Sequence, residues 1–313
     1  MSKKELVFLQ TIDDLLQSDL NIKSSLDVMA KMKGLPKKVS KASVEIRSDL
    51  EAGSLLSNAM GNCTSLKFKE SQIAFVESAQ RSGKLGDTFS FLRCREEKCS
   101  ARNEKIFGMC VYPVIVILMA FIGGIVLSVY APSLVPDFSR NFDYDLYHRN
   151  VIAACVKANL LLCIFGLTLV LIARKNAFEY QRLDVASALK FLAEAGTDMD
   201  SSLHMAFLVA GKNQYLKESV LDAMLQMENG EPLPSVMDMF GGNAKSFFEI
   251  ALVSGNLKTA FSSLVISMEK KLQKTESLFI SLMEPVTICF VGAYILILLK
   301  DVAMPVLFNT GFF

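Results

Sequence analysis

The sequence predicts an all-α membrane protein with two duplicated cytoplasmic helical bundles and three transmembrane helices. Three observations predict this fold. Hydrophobic residues make up 51% of the 313 positions and are concentrated in a few long runs. Two parts of the chain repeat each other, which indicates a duplicated module. Apolar residues recur at a spacing of three to four, without a useful length of alternating strand pattern, so each module is predicted to be helical.

Three apolar runs are predicted to cross a bilayer, which takes about 20 residues of helix. The first span is predicted at 109–130, which carries no charge, and the second at 151–173, where Lys157 is the one charge. The third is placed at 279–307. Its central run, 286–299, would be about 21 Å long as a helix, which is too short alone, so the span is extended beyond it.

The distribution of Lys and Arg predicts the orientation of these spans, because basic residues flank spans on the cytoplasmic side. Basic residues precede the first and third spans and follow the second. The bundles 1–105 and 174–278 are therefore predicted to be cytoplasmic, and the loop 131–150 and the tail 308–313 to face outward. The N-terminal residues mix charged and apolar side chains, which predicts no cleavable signal peptide.

The internal repeat is visible at two offsets. The stretch from Asn21 to Met60 resembles a later part of the chain at an offset of 177, and after a loss of five residues the offset becomes 172. Between 75–92 and 247–264, nine of 18 positions are identical, where unrelated sequences would share about one. Both copies then run into an apolar span. Each bundle is therefore predicted to end in a helix that continues into the membrane.

Residue types that favour helix ends occur at matched places in the two copies. Asn21 and Asp198 are N-cap residue types and precede the second helix of each copy. Four matched glycines are predicted to take the left-handed conformation that ends a helix: Gly53, Gly230, Gly83 and Gly255. The repeat thus predicts where the helices of both bundles stop.

The last helix of each copy is predicted to begin near Asp87 or Thr259. It is expected to run without a break until Pro113 in the first copy and Glu284-Pro285 in the second. Proline removes a backbone donor and is disfavoured inside a helix. These three residues are therefore predicted to be structural turns at the openings of the first and third spans.

These motifs resemble those of the inner-membrane platform proteins of type IV pilus and type II secretion machines. The order of bundle, span, short loop, span, bundle and span is similar to theirs, and so are two matched turns. Those turns are Glu51-Ala52-Gly53-Ser54-Leu55 with Glu228-Asn229-Gly230-Glu231-Pro232, and Ser82-Gly83-Lys84-Leu85 with Ser254-Gly255-Asn256-Leu257. Tyr112-Pro113 and Glu284-Pro285 resemble the openings of that family's first and last spans. The chain departs from the family at Ala79-Gln80 and Ala251-Leu252, where members usually carry Gly-Glu.

The resemblance implies a multi-pass scaffold in a bacterial inner membrane, with the N-terminus cytoplasmic and the loop 131–150 and C-terminal tail 308–313 periplasmic. It implies as partners a cytoplasmic assembly ATPase, pilin or pseudopilin subunits, other inner-membrane pilus components, membrane lipids and further copies of the chain in a homo-oligomer. The short N-terminal region favours a compact variant from a type IV pilus over the secretion form.

No catalytic, cofactor-binding or metal-ligating arrangement is predicted. Gly83-Lys84 and Gly211-Lys212 lack the rest of a phosphate-binding loop, and the spacing of the seven cysteines matches no metal or redox motif. The formal charge of +1 disfavours nucleic acid as a partner. The matched carboxylates Glu77 and Glu249 are expected to have surface or capping roles. The sequence therefore predicts a protein that is not an enzyme.

Four cations are spaced three or four residues apart, so they share one face of the helix that leads into the first span. They are Arg95, Lys98, Arg102 and Lys105. Two interpretations are open. The cations are attracted to anionic lipid headgroups, at about 1 kcal/mol per charge, or they form a docking surface for an acidic partner.

Lys157 and Asp301 are predicted to lie at similar depth, near the outer ends of the second and third spans. Two interpretations are again open. They pair and fix these two spans against each other, or the lysine extends separately to the interface, which costs little near a helix end. A double-mutant comparison would separate the two, because only a pair gives non-additive losses.

The predicted function is that of a pilus platform, which couples the ATPase to the insertion of pilin subunits into a growing filament. The alternatives are a type II secretion platform, a small membrane transporter or permease subunit that uses Lys157, and a sensor of a soluble ligand. Transporter repeats lie within the membrane around a midplane site. Because the strongest repeat here, 75–92 with 247–264, lies outside the predicted spans, transport is disfavoured.

Overall fold

The computed structural model of the protein describes residues 3–130, 144–241 and 244–303. This part of the chain is helical and contains no strand, as the sequence predicts. Its α-helices are α1 (Lys3–Gln17), α2 (Ile22–Lys31), α3 (Lys37–Glu51), α4 (Leu56–Asn62), α5 (Glu70–Ser82), α6 (Leu85–Tyr130), α7 (Tyr144–Ala195), α8 (Met199–Ala210), α9 (Gln214–Glu228), α10 (Leu233–Val236), α11 (Ala244–Ser254) and α12 (Leu257–Leu298). A 3₁₀ turn (Met237–Phe240) follows α10, and a π-helical segment (Leu299–Ala303) follows α12.

The chain divides into two compact units. The bundle unit comprises residues 1–102 and 180–269, and the apolar unit comprises residues 103–179 and 270–313. Within the bundle unit we call residues 3–102 the first segment and residues 180–269 the second segment. The long helices α6, α7 and α12 each contribute residues to both units.

Helix boundaries in the two segments follow the offsets found in the sequence. α2 begins at Ile22 and α8 at Met199, an offset of 177, and the beginnings of α3 and α9 and of α4 and α10 keep that offset. α5 ends at Ser82 and α11 at Ser254, an offset of 172, and the beginnings of α6 and α12 are separated by the same interval. The two segments therefore have the same order of helices, and they differ in length between the start of α4 and the end of α5.

Matched residues end and begin these helices. The Asn21 side chain accepts a hydrogen bond from the Ser24 N–H at 2.8 Å, and the Asp198 side chain accepts one from the Ser201 N–H at 2.9 Å. The four glycines predicted at helix ends (Gly53, Gly83, Gly230 and Gly255) have φ angles between +70° and +88°. This is the left-handed conformation, which glycine adopts without the strain that a Cβ atom would cause.

The prediction that Pro113, Glu284 and Pro285 form turns is wrong. α6 and α12 run through them without a break, with both prolines inside the helices. A proline removes only one backbone donor. The predicted bilayer surroundings would favour continuation of the helix, because no water would compete there for the remaining helical hydrogen bonds. Both helices also begin two residues before the predicted Asp87 and Thr259, at Leu85 and Leu257.

α7 is longer than predicted. It begins at Tyr144, inside the predicted loop 131–150, and it continues beyond the predicted span 151–173 to Ala195. One helix therefore contains the second predicted span and the first helix of the second segment. The remainder of the predicted loop (131–143), the end of the third span and the tail 308–313 lie outside the described residues.

Two helical stretches in the described residues are long and apolar enough to cross a membrane, Arg149–Ala195 and Leu257–Asp301. In α6 the apolar stretch found among the described residues is shorter, Pro113–Val126. The fold is thus helical with two candidate spans, and a third span on α6 stays a prediction.

The core of the bundle unit joins its two segments. Phe75 of α5 is buried in the first segment, and its ring centroid lies 6.1 Å from that of Phe191 on α7. Phe191 also stacks on Phe91 of α6, with centroids 4.3 Å apart. Other residues of the second segment in or against this cluster are Ala188, Leu192, Met205 and Val209. Apolar contacts therefore hold the two segments together as one unit.

Candidate functional site

Two lysines of the predicted cationic stripe on α6 pair with carboxylates on α12. Lys98 Nζ lies 2.9 Å from Glu269 Oε1 in the bundle unit, and Lys105 Nζ lies 2.9 Å from Glu276 Oε2 in the apolar unit. The hydrogen bond to Glu269 raises the pKa of Lys98, so this lysine stays charged at neutral pH. The two lysines are seven positions apart in the sequence, and so are the two glutamates.

Arg102 is the most enclosed of the paired cations. Its Nη2 lies 3.4 Å from Asp184 Oδ2 on α7, and the two side chains are 20% and 19% exposed. The guanidinium also lies 4.4 Å from the centre of the Tyr180 ring, where the ring's electron density attracts a cation. Partial burial strengthens these interactions, because little water screens them.

These contacts change the interpretation of the stripe. The sequence left two interpretations, binding to lipid headgroups and binding to an acidic partner. The structure shows instead that three of the four cations pair with carboxylates of the same chain. Exposed ion pairs contribute at most about 1 kcal/mol, so the Lys98 and Lys105 pairs contribute mainly to alignment of α6 with α12. Glu269 and Glu276 were missed from the sequence, although their spacing matches that of the lysines.

The fourth cation, Arg95, lines a cavity of about 180 Å³ in the bundle unit. Its Nε and Nη1 atoms are buried and have no hydrogen-bond partner among the described residues. The stacked rings of Phe91 and Phe191 also line this cavity, next to the paired side chains of Arg102 and Asp184. The structure thus brings three stripe residues together at one cavity, Arg95, Lys98 and Arg102. Lys105 lies apart from them, in the apolar unit.

A lysine at or next to each matched Ser-Gly turn contacts the end of α7. Lys84 Nζ donates to the Ala195 carbonyl at 2.9 Å, and Lys258 Nζ donates to the Glu194 carbonyl at 3.3 Å. The last carbonyls of a helix lack helical partners and carry a partial negative charge, which attracts cations. One lysine from each segment therefore caps the same helix end.

The matched carboxylates do not form a site. Glu77 Oε1 pairs with Arg81 Nη2 one helical turn away, at 2.6 Å, and Glu249 is exposed on α11. Position 253, which matches Arg81, is a valine, so the ion pair has no counterpart in the second segment.

Two cysteine thiols in the bundle unit are poor nucleophiles. Burial raises the pKa of Cys99 to about 11, helped by the nearby Asp184 carboxylate, and burial also raises the pKa of Cys63. A thiol that stays protonated reacts slowly and binds metals weakly. In the part of the chain that the structure describes, no group of three His, Cys, Asp or Glu side chains is placed to hold a metal ion.

The structure brings Lys157 and Asp301 together in the apolar unit. Lys157 Nζ on α7 lies 3.8 Å from Asp301 Oδ2 on the π-helical segment. The lysine side chain is 66% exposed and the aspartate side chain 29%. This is the arrangement that the pairing hypothesis requires.

A close approach of α6 and α12 in the apolar unit was missed from the sequence. The Tyr294 hydroxyl of α12 donates to the Ala120 carbonyl of α6 at 2.7 Å. Gly124 leaves room for that hydroxyl, because a Cβ atom at this position would collide with it. The signal in the sequence is the pair Gly123-Gly124 within an apolar helix, since small residues favour close contact between membrane helices.

Residues 8–132 match the family model described as Type II secretion system (T2SS), protein F. This range contains most of the first segment and the apolar part of α6. The resemblance drawn from the sequence is thereby confirmed for residues 8–132, which are similar to that family. A search of curated proteins with the whole sequence gives no match.

Proposed function

We propose that this protein is the inner-membrane platform of a type IV pilus assembly machine. It couples a cytoplasmic assembly ATPase to the insertion of pilin subunits into the growing filament. The observation that carries the proposal is the family match over residues 8–132, because members of that family are structural platform proteins and not enzymes.

The proposed topology has the bundle unit in the cytoplasm and three spans at 109–130, 151–173 and 279–307. The residues that join the first two spans, and the C-terminal tail, face the periplasm. Support comes from the apolar stretches of α6, α7 and α12 and from the basic residues that flank them on the side of the bundle unit. In this proposal the two segments of the bundle unit are copies of one module, and their matched helix beginnings support it.

α6 and α12 are the transmitting elements in this proposal. Each begins at a Ser-Gly turn of the bundle unit and contributes residues to the apolar unit. α6 has 46 residues and α12 has 42, which corresponds to lengths of about 60 to 70 Å. A helix of this length carries a displacement from one end to the other. The pairs Lys98–Glu269 and Lys105–Glu276 tie these two helices to each other.

The chain supplies mechanical coupling and not chemistry in this proposal. The nucleotide is bound and hydrolysed by the partner ATPase, since neither Gly83-Lys84 nor Gly211-Lys212 belongs to a complete phosphate-binding loop. Pilin helices and other inner-membrane components contact the apolar unit, where many large apolar side chains are exposed. Lipid headgroups contact the basic flanks of the spans.

The proposal is tested with the full-length chain in lipid nanodiscs and the P-loop ATPase encoded beside it. We expect the ATPase to bind the nanodiscs, and we expect a strain without this chain to lose its surface filaments while pilin accumulates in the inner membrane. Normal filaments in that strain would contradict the proposal. Capture of a substrate-binding protein instead of an ATPase would favour transport.

The second candidate is a type II secretion platform, which the description of the matching family model favours. The same deletion strain separates the two functions. Loss of filaments with normal protein secretion supports the pilus platform. Retention of secreted proteins in the periplasm, with filaments unchanged, supports the secretion platform.

A further inference from the structure

The cavity beside the stacked rings of Phe91 and Phe191 has an excess of positive charge. Four cations and three carboxylates line it, so one positive charge is in excess. Each carboxylate pairs with one of the cations: Lys98 with Glu269, Arg102 with Asp184, and Lys190 with Glu194. The remaining cation is Arg95, whose Nε and Nη1 atoms have no hydrogen-bond partner among the described residues. The carboxylates of the cavity wall therefore do not neutralise Arg95.

The internal repeat does not account for Arg95. At the offset of 172, Arg95 matches Ser267 and Phe91 matches Ser263. The second copy thus forms the matching helix without an arginine or a phenylalanine at these places. Buried guanidinium atoms without a hydrogen-bond partner cost stability. The presence of Arg95 therefore indicates something that binds to it and is not part of the chain.

The same cavity also has apolar lining. The rings of Phe91 and Phe191 are stacked with their centroids 4.3 Å apart, and Leu183 and Val265 line the cavity as well. Its volume is about 180 Å³. An apolar cavity of about 150 Å³ is large enough to bind benzene. The cavity of the bundle unit therefore has room for one small ring that carries a polar group.

We propose that this cavity binds a small organic carboxylate, with the carboxylate on Arg95 and the apolar body against Phe91 and Phe191. A planar guanidinium matches a carboxylate through two parallel hydrogen bonds. Arg95 as a whole residue is only partly buried, so its long side chain can turn the guanidinium towards a ligand. One monoanion neutralises the excess charge, and the apolar lining favours a ligand with a hydrocarbon body over inorganic phosphate.

A ligand in this cavity contacts all three long helices within the bundle unit. The lining includes Arg95 of α6, Phe191 of α7 and Val265 of α12. A ligand that binds one arrangement of these helices stabilises that arrangement over others. A small carboxylate would therefore regulate the protein by fixing these helices together. The inference rests on the cavity and its charges, and not on whether the assembled machine makes a pilus.

The test is isothermal titration calorimetry of the full-length chain in uncharged detergent micelles, with sodium benzoate as the probe and empty micelles as the blank. Three further compounds are compared with it. Benzamide has the ring without the charge, acetate has the charge without the ring, and inorganic phosphate has neither a ring nor a carboxylate. Arg95→Gln removes the cation, and Arg81→Gln is the matched control, because Arg81 lies on α5 of the same unit and does not line the cavity. Thermal unfolding, followed by circular dichroism, verifies that each variant is folded.

We expect the wild-type chain and Arg81→Gln to bind benzoate saturably, and to bind the other three compounds about tenfold or more weakly. Arg95→Gln should bind benzoate about tenfold or more weakly than the wild type, because a hydrogen bond between charged groups is lost. Without ligand, Arg95→Gln should unfold at the same temperature as the wild type or at a higher one, since it removes a charge whose buried atoms have no partner. A purely structural role for Arg95 predicts a lower unfolding temperature.

Several outcomes would overturn the proposal. They are no saturable binding of benzoate to the wild type, benzamide or phosphate binding as tightly as benzoate, and equal benzoate binding by Arg95→Gln and the wild type. Acetate binding as tightly as benzoate would also overturn it, and would assign Arg95 to a carboxylate side chain of an acidic partner protein instead. The four compounds are compared on the wild-type chain, so the proposal is decided even if Arg95→Gln does not fold. Failure of ATPase binding with intact benzoate binding would count against the proposed function alone.

Discussion

The first and second segments of the bundle unit have the same order of helices, but the polar contacts at their loops differ. In the first segment, the loop between α4 and α5 is held by Glu45 of α3, which accepts hydrogen bonds from the Thr64 and Ser65 N–H groups at 2.9 and 3.2 Å. In the second segment, the 3₁₀ turn replaces this loop, and the matched Asp222 is exposed. A repeat thus preserves helix boundaries while the polar contacts at its loops diverge.

The two segments also differ in how deeply they bury matched residues. The first segment buries Phe75 under Phe91 and Phe191, whereas the identical and matched Phe247 is only partly buried. The second segment covers Phe75 through Phe191 of α7. Identical residues at matched positions therefore have different surroundings, which gives matched pairs of mutations for testing the comparison.

The largest expected effect is at the matched phenylalanines. Phe75→Ala should lower the free energy of unfolding by about 3–5 kcal/mol, since it empties a buried aromatic site. Phe247→Ala should cost about half of that or less, because its ring is already partly in water. The measurement is unfolding of the full-length chain in micelles, followed by circular dichroism. Equal losses of unfolding free energy would contradict the difference in burial between the two phenylalanines.

The second test concerns the apolar ends of the repeat, where Gly124 of α6 matches Leu296 of α12. Gly124→Ala should destabilise the protein by about 1–3 kcal/mol, because the new methyl group collides with the Tyr294 hydroxyl. Gly123→Ala is the control, since a Cβ atom there has no neighbour within 4 Å. Tyr294→Phe should relieve most of the loss in Gly124→Ala. An equal loss in both glycine variants would contradict the close approach.

The third test uses pH. Hydrogen bonds from Ser65, followed by those from Cys63 and Thr64, lower the pKa of Glu45 from 4.5 to about 2. The folded state therefore binds the proton of Glu45 less tightly than the unfolded state. Glu45 stabilises the fold above pH 4.5, and this contribution disappears as the pH falls from 4.5 towards 2.

Glu45→Gln should accordingly lose about 1 kcal/mol at pH 7, a figure reduced for partial exposure to solvent, and lose little relative to wild type near pH 2. Asp222→Asn is the matched control and should change stability very little at either pH. The quantity to measure is the difference in unfolding free energy between each variant and the wild type from pH 7 down to pH 2. A pH-independent loss in Glu45→Gln would show that charge is not the cause.

The smallest expected effect is at Lys157 and Asp301. Asp301 has no charged counterpart in the first copy, where the matched residue is Val129. Lys157→Ala and Asp301→Ala should show a coupling of about 0.5 kcal/mol in a double-mutant cycle, because the pair is 3.8 Å apart and the lysine is largely exposed. Folded yield or unfolding free energy can report it. Strictly additive losses would end the pairing hypothesis.

Local features of the fold could be predicted from the sequence. The N-caps Asn21 and Asp198 and the glycines at helix ends depend on contacts within a few residues, so residue type is sufficient to locate them. The offsets of 177 and 172 found in the sequence recur in the beginnings of α8, α9, α10 and α12 and in the end of α11.

Features that depend on distant residues or on the solvent could not be predicted in the same way. Pro113 and Pro285 were expected to break helices as they do in water, but the helices continue in an apolar stretch. The partners of Lys98 and Lys105 lie far along the chain on α12, and a spacing pattern alone does not say which helices will be neighbours. Phe191 joins the first segment's core only because the second segment packs there.

The capping of α7 by Lys84 and Lys258 has a mechanical consequence. The two lysines belong to opposite halves of the repeat, yet both hold carbonyl groups on a single final turn. As long as both bonds are made, neither the beginning of α6 nor the beginning of α12 can shift without pulling on that turn. The last turn of α7 is thus held by both segments. α7 itself contains Arg149–Ala195, one of the two stretches in the described residues that are long enough to cross a membrane.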